Sequence, residues 1–391
     1  MKIKWTQIKN EFDGKYCYTH ARAAKKADGE WILTNQPLLL TGMDVFYGIE
    51  VRRSKDGIHW TAPKKSKALA RRTRADGLDE VMCDATPFLH HKTGKLLLTG
   101  HNALYGADNK IAPPPHRRST VYAIWNEETG DFDDYCELQM PENELFYESG
   151  AGSTQILELP DGDLLIPVYH STYEAACDPW HTCARTCVIR CGFDGKLLTV
   201  KEFGNSLTVD VPRGLCEPSV ATLNGTYFLA LRNDETGFVT RSSDGLHYDE
   251  PTPLVFDDGE NAGNYNTQQH WITQNGKLYL VYTRKGANND HVFRHRAPLF
   301  IAEFDPIRMC LIRETERIAV PERGARLGNF SCFIENEESS YVIAAEWMQS
   351  NKGKDWRYCM EFGSDNSIFV SHVTSDGKDE LSDRLSQKSD K

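Results

Sequence analysis

EPSVATLNGTYFLALRND, Glu217 to Asp234, carries the pattern on which the fold turns: an apolar run, a tight Asn-Gly turn and a second, more strongly apolar run. Asn-Gly readily supplies the positive φ of a two-residue turn, and Val, Leu, Phe and Tyr suit strands, so the segment reads as a β-hairpin. Five further segments repeat it: RAAKKADGEWILT, TPFLHHKTGKLLLTGHN, STQILELPDGDLLIPVYHS, QQHWITQNGKLYLVYTR and SCFIENEESSYVIAAEW. The turns fall at Gly29, Gly94, Gly162, Gly225, Gly276 and, without glycine, Ser339, at intervals of 65, 68, 63, 51 and 63 residues. Such intervals exceed one hairpin and fit a four-stranded antiparallel blade with generous outer loops. The expectation is an all-β protein, a six-bladed β-propeller. No heptads and no βαβ alternation compete with it, although five or seven blades would also fit the length if one weak blade is miscounted. A single domain is expected over residues 1–378, followed by a polar, disordered tail at 379–391.

Composition narrows the function classes. Of the 391 residues, 40% are hydrophobic and 26% charged, which is ordinary for a globular protein with a sizeable core. A formal net charge of −11 and the absence of a basic run exclude a nucleic-acid surface, which needs clustered Lys and Arg. The opening MKIKWTQIKNEFDGKY has no apolar stretch of signal-peptide length, and no run of roughly 18 apolar residues occurs anywhere, so no membrane association is expected. Eleven cysteines, an odd number scattered from Cys17 to Cys359, suit a reducing compartment, hence the cytoplasm. The cluster HTCARTCVIRC, with Cys177 upstream, offers His181, Cys183, Cys187 and Cys191 to a metal. It lacks any C-x-x-C pair, so buried strand cysteines are preferred, and neither metal nor cofactor is expected. Oligomeric state is not encoded in any of these features.

Two stretches outside the hairpins match each other: RRSKDGIHW, Arg52 to Trp60, and TRSSDGLHY, Thr240 to Tyr248. Both fall on the outer hairpins of their blades. Asp56 and Asp244 are suited to accept backbone N–H bonds within the turn, and Trp60 and Tyr248 to pin it to the blade, a structural rather than catalytic role. Ser-x-Asp-Gly-x-x-aromatic after a strand ending in Arg resembles the Asp-box, or BNR repeat, of the sialidase superfamily, in a version one residue shorter. CEPSVATLNGTYFLALRND is similar to the sialidase segment in which Glu-Pro opens an innermost strand and Arg closes the next. The resemblance spans about residue 15 to about 375. It implies a glycosidase in which Glu217 polarises a tyrosine nucleophile and Arg232 binds the sugar carboxylate. Two departures qualify it: HARAAKK places Arg22 or His20 where the family has Arg-Ile-Pro, and LGNFSCF places Phe330 before Ser331 where the family has its nucleophilic tyrosine.

The repeat register nominates site residues independently, because propeller sites lie at one channel mouth, where inner strands begin and second strands end. Seven residues beyond each turn stand His101, Tyr169, Arg232 and Thr283, and eight beyond stand His170, Asn233 and Arg284. Six to ten before it stand Asp84, Gln155, Glu217, Gln268 and His270, with Asn329 similarly placed. The fifth repeat also groups Arg284, His291, Arg294, His295 and Arg296, and VPERGARLGNF brings Arg323 and Arg326 into the last blade. Arg suits a carboxylate, which it can grip by two parallel bonds. The long loops PPPHRRST and DPWHT are candidates to close over the mouth.

The expected function is sialidase-like hydrolysis of a terminal, acidic sugar, with carbohydrate as the partner. Arg232, with Arg284 or Arg296, would hold the carboxylate, aided by His270 and Arg326. Glu217 would act as base or polarise a neighbour, and His101 or His170, with Tyr169 and Asp84 beside them, would supply the proton. Water in place of tyrosine would invert the anomeric centre. Two alternatives stand: a propeller polysaccharide lyase acting next to a uronic acid, with His or Tyr removing the C5 proton, and a non-catalytic sugar-binding propeller.

Overall fold

The computed structural model describes residues 1–42, 44–114, 116–177 and 183–375, the Cys183 side chain apart. The tail at 379–391 and the DPWHT loop lie outside the described residues. The chain forms six sheets, antiparallel apart from the short parallel pairing of Arg213–Gly214 with Cys183–Phe193; five have four strands in the main path and one has five, and three carry extra short strands off it. The second blade shows the order: Asp79–His90 innermost, then Lys95–Tyr105, Thr120–Asn126 and Asp131–Phe132. In the third blade the innermost position is shared by two short pieces, Glu148–Gly150 and Leu157–Glu158, both paired to Leu164–Ser171.

The sixth blade takes its outer strand from the other end of the chain. Lys2–Ile8 pairs residue for residue with Ile368–Thr374, from Lys2 opposite Thr374 to Ile8 opposite Ile368. This hydrogen-bonded seam joins the first and last segments in one blade and so closes the ring. It lies upstream of the region of family resemblance.

Alternation along each strand sends side chains to both faces of its blade, so both faces are apolar and each blade packs on its two neighbours. The buried core accordingly divides into interfaces. Leu98, Val121 and Trp125 meet Ile32 and Val51 between blades one and two; Phe228 and Val239 meet Trp271 and Leu280 between four and five; Trp31 and Leu33 meet Tyr341 and Ile343 between the first and the last. A further cluster, Leu38, Phe46, Tyr105, Trp347 and Met348, lies under the loops of blades one, two and six.

Two hairpins have the expected two-residue turns, with Asn224-Gly225 and Asn275-Gly276 all at positive φ. The Asp-Gly hairpins are one residue longer: Lys26 N–H bonds Glu30 O, and Leu159 N–H bonds Asp163 O, with glycine at positive φ between. The last hairpin turns at Glu337-Glu338, so Ser339 is the first residue of the following strand rather than the turn itself. The two Ser-x-Asp-Gly turns are near superimposable in bonding. Ser54 Oγ accepts Gly57 N–H at 2.9 Å and Asp56 Oδ1 accepts His59 N–H at 2.8 Å; Ser242 and Asp244 do the same for Gly245 and His247 at 3.0 and 2.7 Å. Burial, the largest single influence, would raise the pKa of both Asp56 and Asp244, but the backbone donors and the neighbouring His and Ser bonds together outweigh it and hold both well below the usual carboxylate range.

Candidate active site

Six polar residues, one from each blade, share an unusual backbone state. His20, Asp84, Ser153, Glu217, Asn266 and Asn329 have φ of 51, 53, 55, 46, 56 and 62°. Each precedes its hairpin turn by eight to ten residues, so all six lie at the same end of the ring. In blades one, two and four the register of the innermost strand slips there, between Thr19 and Arg22, Cys83 and Thr86, and Cys216 and Ser219. Two residues face one across each slip, which is a β-bulge. A bulge bends the strand and re-aims its side chain, and left-handed backbone in a non-glycine residue costs about 1–3 kcal/mol. Six repetitions of that cost at one mouth mark it as the place where the fold sacrifices stability for side-chain direction.

One half of the mouth is a closed knot around Asp84. Its Oδ1 accepts Ser153 Oγ–H at 2.6 Å and Asn329 Nδ2–H at 2.7 Å, with His20 Nε2 at 3.0 Å and Arg22 Nη2 at 3.4 Å. Arg22 is fully buried and also donates to Ser153 Oγ at 2.6 Å and to the Asp84 carbonyl. Burial would raise the Asp84 pKa, but the adjoining His20 and His101 rings, the Arg22 charge and the Ser153 bond together hold it well below the ordinary range. Asp84 is therefore an anion. His101 lies beside it, Nε2 3.9 Å from Asp84 Oδ2 and Nδ1 3.2 Å from the Tyr169 hydroxyl. Burial pushes the His101 pKa down to about 3 despite Asp84, so at neutral pH the imidazole is uncharged. Its N–H belongs on Nε2 facing the carboxylate, which leaves Nδ1 to accept the Tyr169 proton. Burial raises the Tyr169 pKa, with Arg118, whose guanidinium sits 4.7 Å from the ring centroid, opposing. Arg118 is delivered by the PPPHRRST loop. Gly152 makes this proximity possible, since a Cβ there would stand 2.1 Å from His101 Nδ1.

The other half is cationic. Arg232 Nη2 at 3.2 Å, Arg294 Nη1 at 3.2 Å and Arg296 Nη2 at 3.0 Å all donate to one atom, Asn266 Oδ1. Arg232 is compensated by Glu217 at 2.5 Å and Asp234 at 3.1 Å, and Glu217 Oε2 remains buried without a hydrogen-bond partner. Arg296 is 3% exposed and its remaining bonds go to Asn329 Oδ1 at 3.3 Å and the Asn266 carbonyl. Burial, with Arg232, Arg326 and Arg294 nearby, pushes the Arg296 pKa well down. Arg326 lies flat on Trp347, 3.4 Å from the ring centroid, and donates to Gln349 at 2.7 Å. Among the described residues no carboxylate lies within ion-pair distance of Arg294, Arg296 or Arg326.

Other nominated residues are engaged elsewhere. His170 is fully buried, stacked on Phe146 and bonded to the Leu145 carbonyl at 2.8 Å and Ser206 at 3.0 Å; it faces away from its neighbour Tyr169, as strand alternation demands. Arg284 is clamped by Glu316 through two bonds, of 2.9 and 2.6 Å, on the outer side of its blade. His270 uses both nitrogens, at 2.8 Å to Ser219 and 3.1 Å to the Phe330 carbonyl, and burial lowers its pKa to about 3. Phe330 is fully buried against the His270 ring, so the last blade presents no phenol at the position where the resemblance implies a nucleophile. Arg323 reaches the Gly363 carbonyl, and His291 pairs with Glu322 at 2.9 Å. Of the cysteine cluster, His181 and the Cys183 side chain lie outside the described residues; Cys187 and Cys191 are buried, and burial pushes both thiols up to about 12. Sequence reasoning missed Ser153 and Asn266. The signal was a polar residue eight to ten positions before each turn, followed in three blades by a small or cyclic residue, in His20-Ala21, Asp84-Ala85 and Glu217-Pro218.

No protein-family model and no curated protein matches this sequence. Solved structures do resemble its fold. A protein of unknown function from Dyadobacter fermentans aligns with a TM-score of 0.63 at 14% identity, covering 95% of this chain and 99% of that one. The Hadza microbial sialidase Hz136 aligns at 0.62 and 13% identity, covering 93% and 66%. Trypanosoma rangeli sialidase aligns at 0.60 and 13% identity, covering 94% of this chain and 59% of its own length. The chain thus has the sialidase-like six-bladed propeller fold and spans about three fifths of the trypanosomal enzyme.

Proposed function

We propose that the protein is a glycoside hydrolase that removes a terminal acidic sugar from a glycan or oligosaccharide. The observation that carries this reading is the convergence of three guanidiniums on the neutral Asn266 Oδ1. Like charges gathered in a largely buried site are unfavourable until an anion arrives, and the planar guanidinium matches a carboxylate. Trypanosoma rangeli sialidase, of the same fold, has been solved in complex with sialic acid.

In this reading Arg232 and Arg296 hold the sugar carboxylate, and Glu217 orients Arg232 through Oε1. The unpartnered Glu217 Oε2 takes a proton from water as the water oxygen bonds to the anomeric carbon. The bond to the leaving oxygen breaks, and that oxygen takes the Tyr169 hydroxyl proton. His101 Nδ1, which accepts the Tyr169 hydroxyl at rest, positions the phenol, Asp84 holds the His101 ring, and the proton gained by Glu217 returns through solvent to the Tyr169 phenolate after the products leave. Water enters and two alcohols leave, so the atoms balance. Its working compartment is proposed to be reducing, since the buried thiols of Cys17, Cys83 and Cys216 are unbridged.

A second reading is favoured by the Tyr169–His101 contact at 3.2 Å: a lyase, in which Tyr169 yields its proton to His101, the phenolate removes the C5 proton of a uronate as the C4–O bond breaks, and the leaving oxygen takes the proton held by His101. One panel separates them. Sialosides and uronate-terminated oligosaccharides are incubated with the protein while reducing ends and ultraviolet absorbance are followed. Reducing sugar without new absorbance supports hydrolysis, and absorbance from an unsaturated uronate supports the lyase. Full activity of both Glu217→Gln and Tyr169→Phe on a substrate so found would refute the site.

A further inference from the structure

The charge balance of the cationic half goes further than one carboxylate. Five guanidiniums act on one another there: Arg213, Arg232, Arg294, Arg296 and Arg326. Three carboxylates face them: Glu217 and Asp234 on Arg232, Asp234 also 3.5 Å from Arg213, and Asp44, whose charge acts on both Arg294 and Arg326. Two positive charges are left over among the described residues. The opposite half is balanced, Arg22 by Asp84 and Arg118 by Glu148 at 3.5 Å, and it offers no surplus anion to share.

The surplus is also spread in space. Arg232, Arg294 and Arg296 meet at Asn266, whereas Arg326 lies beyond Arg296, fixed between Trp347 and the Phe293 ring, 5.0 Å from its centroid. Arg294 lies 5.3 Å from that same ring, so both cations lie against one aromatic side chain. Arg326 is 2% exposed, its Nε has no partner, and burial lowers its pKa only to about 9, so it stays charged at neutral pH. A single carboxylate at Asn266 cancels one charge and leaves Arg326 facing Arg294.

We infer that the mouth holds two oxyanion positions, one at Arg232–Arg296–Asn266 and a second at Arg294–Arg326 beside Trp347 and Phe293, and that the ligand is an acidic sugar bearing a second oxyanion. The second group is a sulfate ester or a second carboxylate, whose oxygens present the same acceptor geometry to guanidinium. The inference rests on the acidic-sugar reading above and specifies its substrate.

Titration calorimetry on the full chain tests it with four probes: a methyl uronide, its O-sulfated form, a disaccharide of two uronates and a sulfated neutral methyl glycoside. The dianions are expected to bind at least about tenfold more tightly than the uronide, with the advantage shrinking as salt rises. Arg326→Gln and, separately, Arg294→Gln should each bring the dianion-to-monoanion ratio close to one, whatever they do to the uronide affinity itself. Arg294 is only partly buried, so its variant remains informative if Arg326→Gln does not fold. A uronide that binds as tightly as both dianions, or a ratio that survives both substitutions, overturns the second position and leaves the acidic-sugar reading standing. Binding by none of the four probes overturns both.

Discussion

Asn266→Asp places a carboxylate where three guanidiniums now share a neutral oxygen, and so tests the charge surplus without a known substrate. At 3.0–3.2 Å each guanidinium would attract the new charge. With an effective dielectric constant of about 20, that is about 5 kcal/mol gross per cation. Arg232 is already compensated by Glu217 and Asp234, which also repel the newcomer, so two cations count. Desolvating a carboxylate costs several kcal/mol, and Asn266 is only partly buried, which leaves a net gain of about 2 kcal/mol. The left-handed φ of 56° suits Asp nearly as well as Asn. In a chain of this size the melting temperature should rise by about 2–3 °C. The carboxylate pKa would be depressed below its unfolded value of about 4, so the gain is present above that pH and disappears as pH falls through the folded pKa. Scanning calorimetry at neutral pH and at about pH 3 reads both effects. Wild-type protein should in addition be stabilised by added glucuronate, and the variant much less. Loss of stability in Asn266→Asp at neutral pH would refute the idea that this cluster lacks an anion.

Three other outcomes are expected. Gly152→Ala puts a Cβ 2.1 Å from His101 Nδ1 and 2.7 Å from Asp84 Cβ, so the imidazole must move by about 1 Å; turnover on a substrate should fall about 100-fold while the melting temperature changes little, and unchanged turnover would count against His101. Asp84→Asn leaves the fully buried Arg22 without its counter-charge and should cost about 3–5 kcal/mol in denaturant unfolding, a loss under 1 kcal/mol showing that the knot around it is not held by charge. Burial raises the Glu346 pKa to about 7 against the Arg323 charge and two backbone donors; a carboxyl raised in the folded state stabilises fully below its unfolded pKa and loses that contribution as pH climbs toward 7. Glu346→Gln, which keeps an acceptor for the Asp365 and Ser367 N–H groups, should flatten the stability profile between about pH 5 and 7.

Much of the ring can be read from one residue pattern because each hairpin is local. The turn at Asn224-Gly225 and the apolar run after it need nothing distant to be recognised, and the same holds for the Ser54 and Ser242 turns. Counting from those turns also puts Asp84, His101, Tyr169, Glu217 and Arg232 at one end. It cannot separate Tyr169 from His170 or Arg296 from Arg284. Adjacent strand residues point to opposite faces, and a guanidinium's partner is chosen across the sheet; Glu316, which takes Arg284, lies 32 residues away.

The sequence alone therefore determined the repeat, the number of blades and the end of the ring at which polar residues gather, since these follow from turn chemistry and strand alternation within some twenty residues. Tertiary structure decided how those residues meet. Asn329 reaches Asp84 across 245 positions, and Lys2–Ile8 seals the ring against Ile368–Thr374. Convergence of three arginines on Asn266 needs blades four and five brought side by side, with a left-handed residue in each turning its side chain to the mouth. Charges that are harmless when scattered along an extended chain become a buried surplus only when the ring closes. No periodicity in the sequence records that.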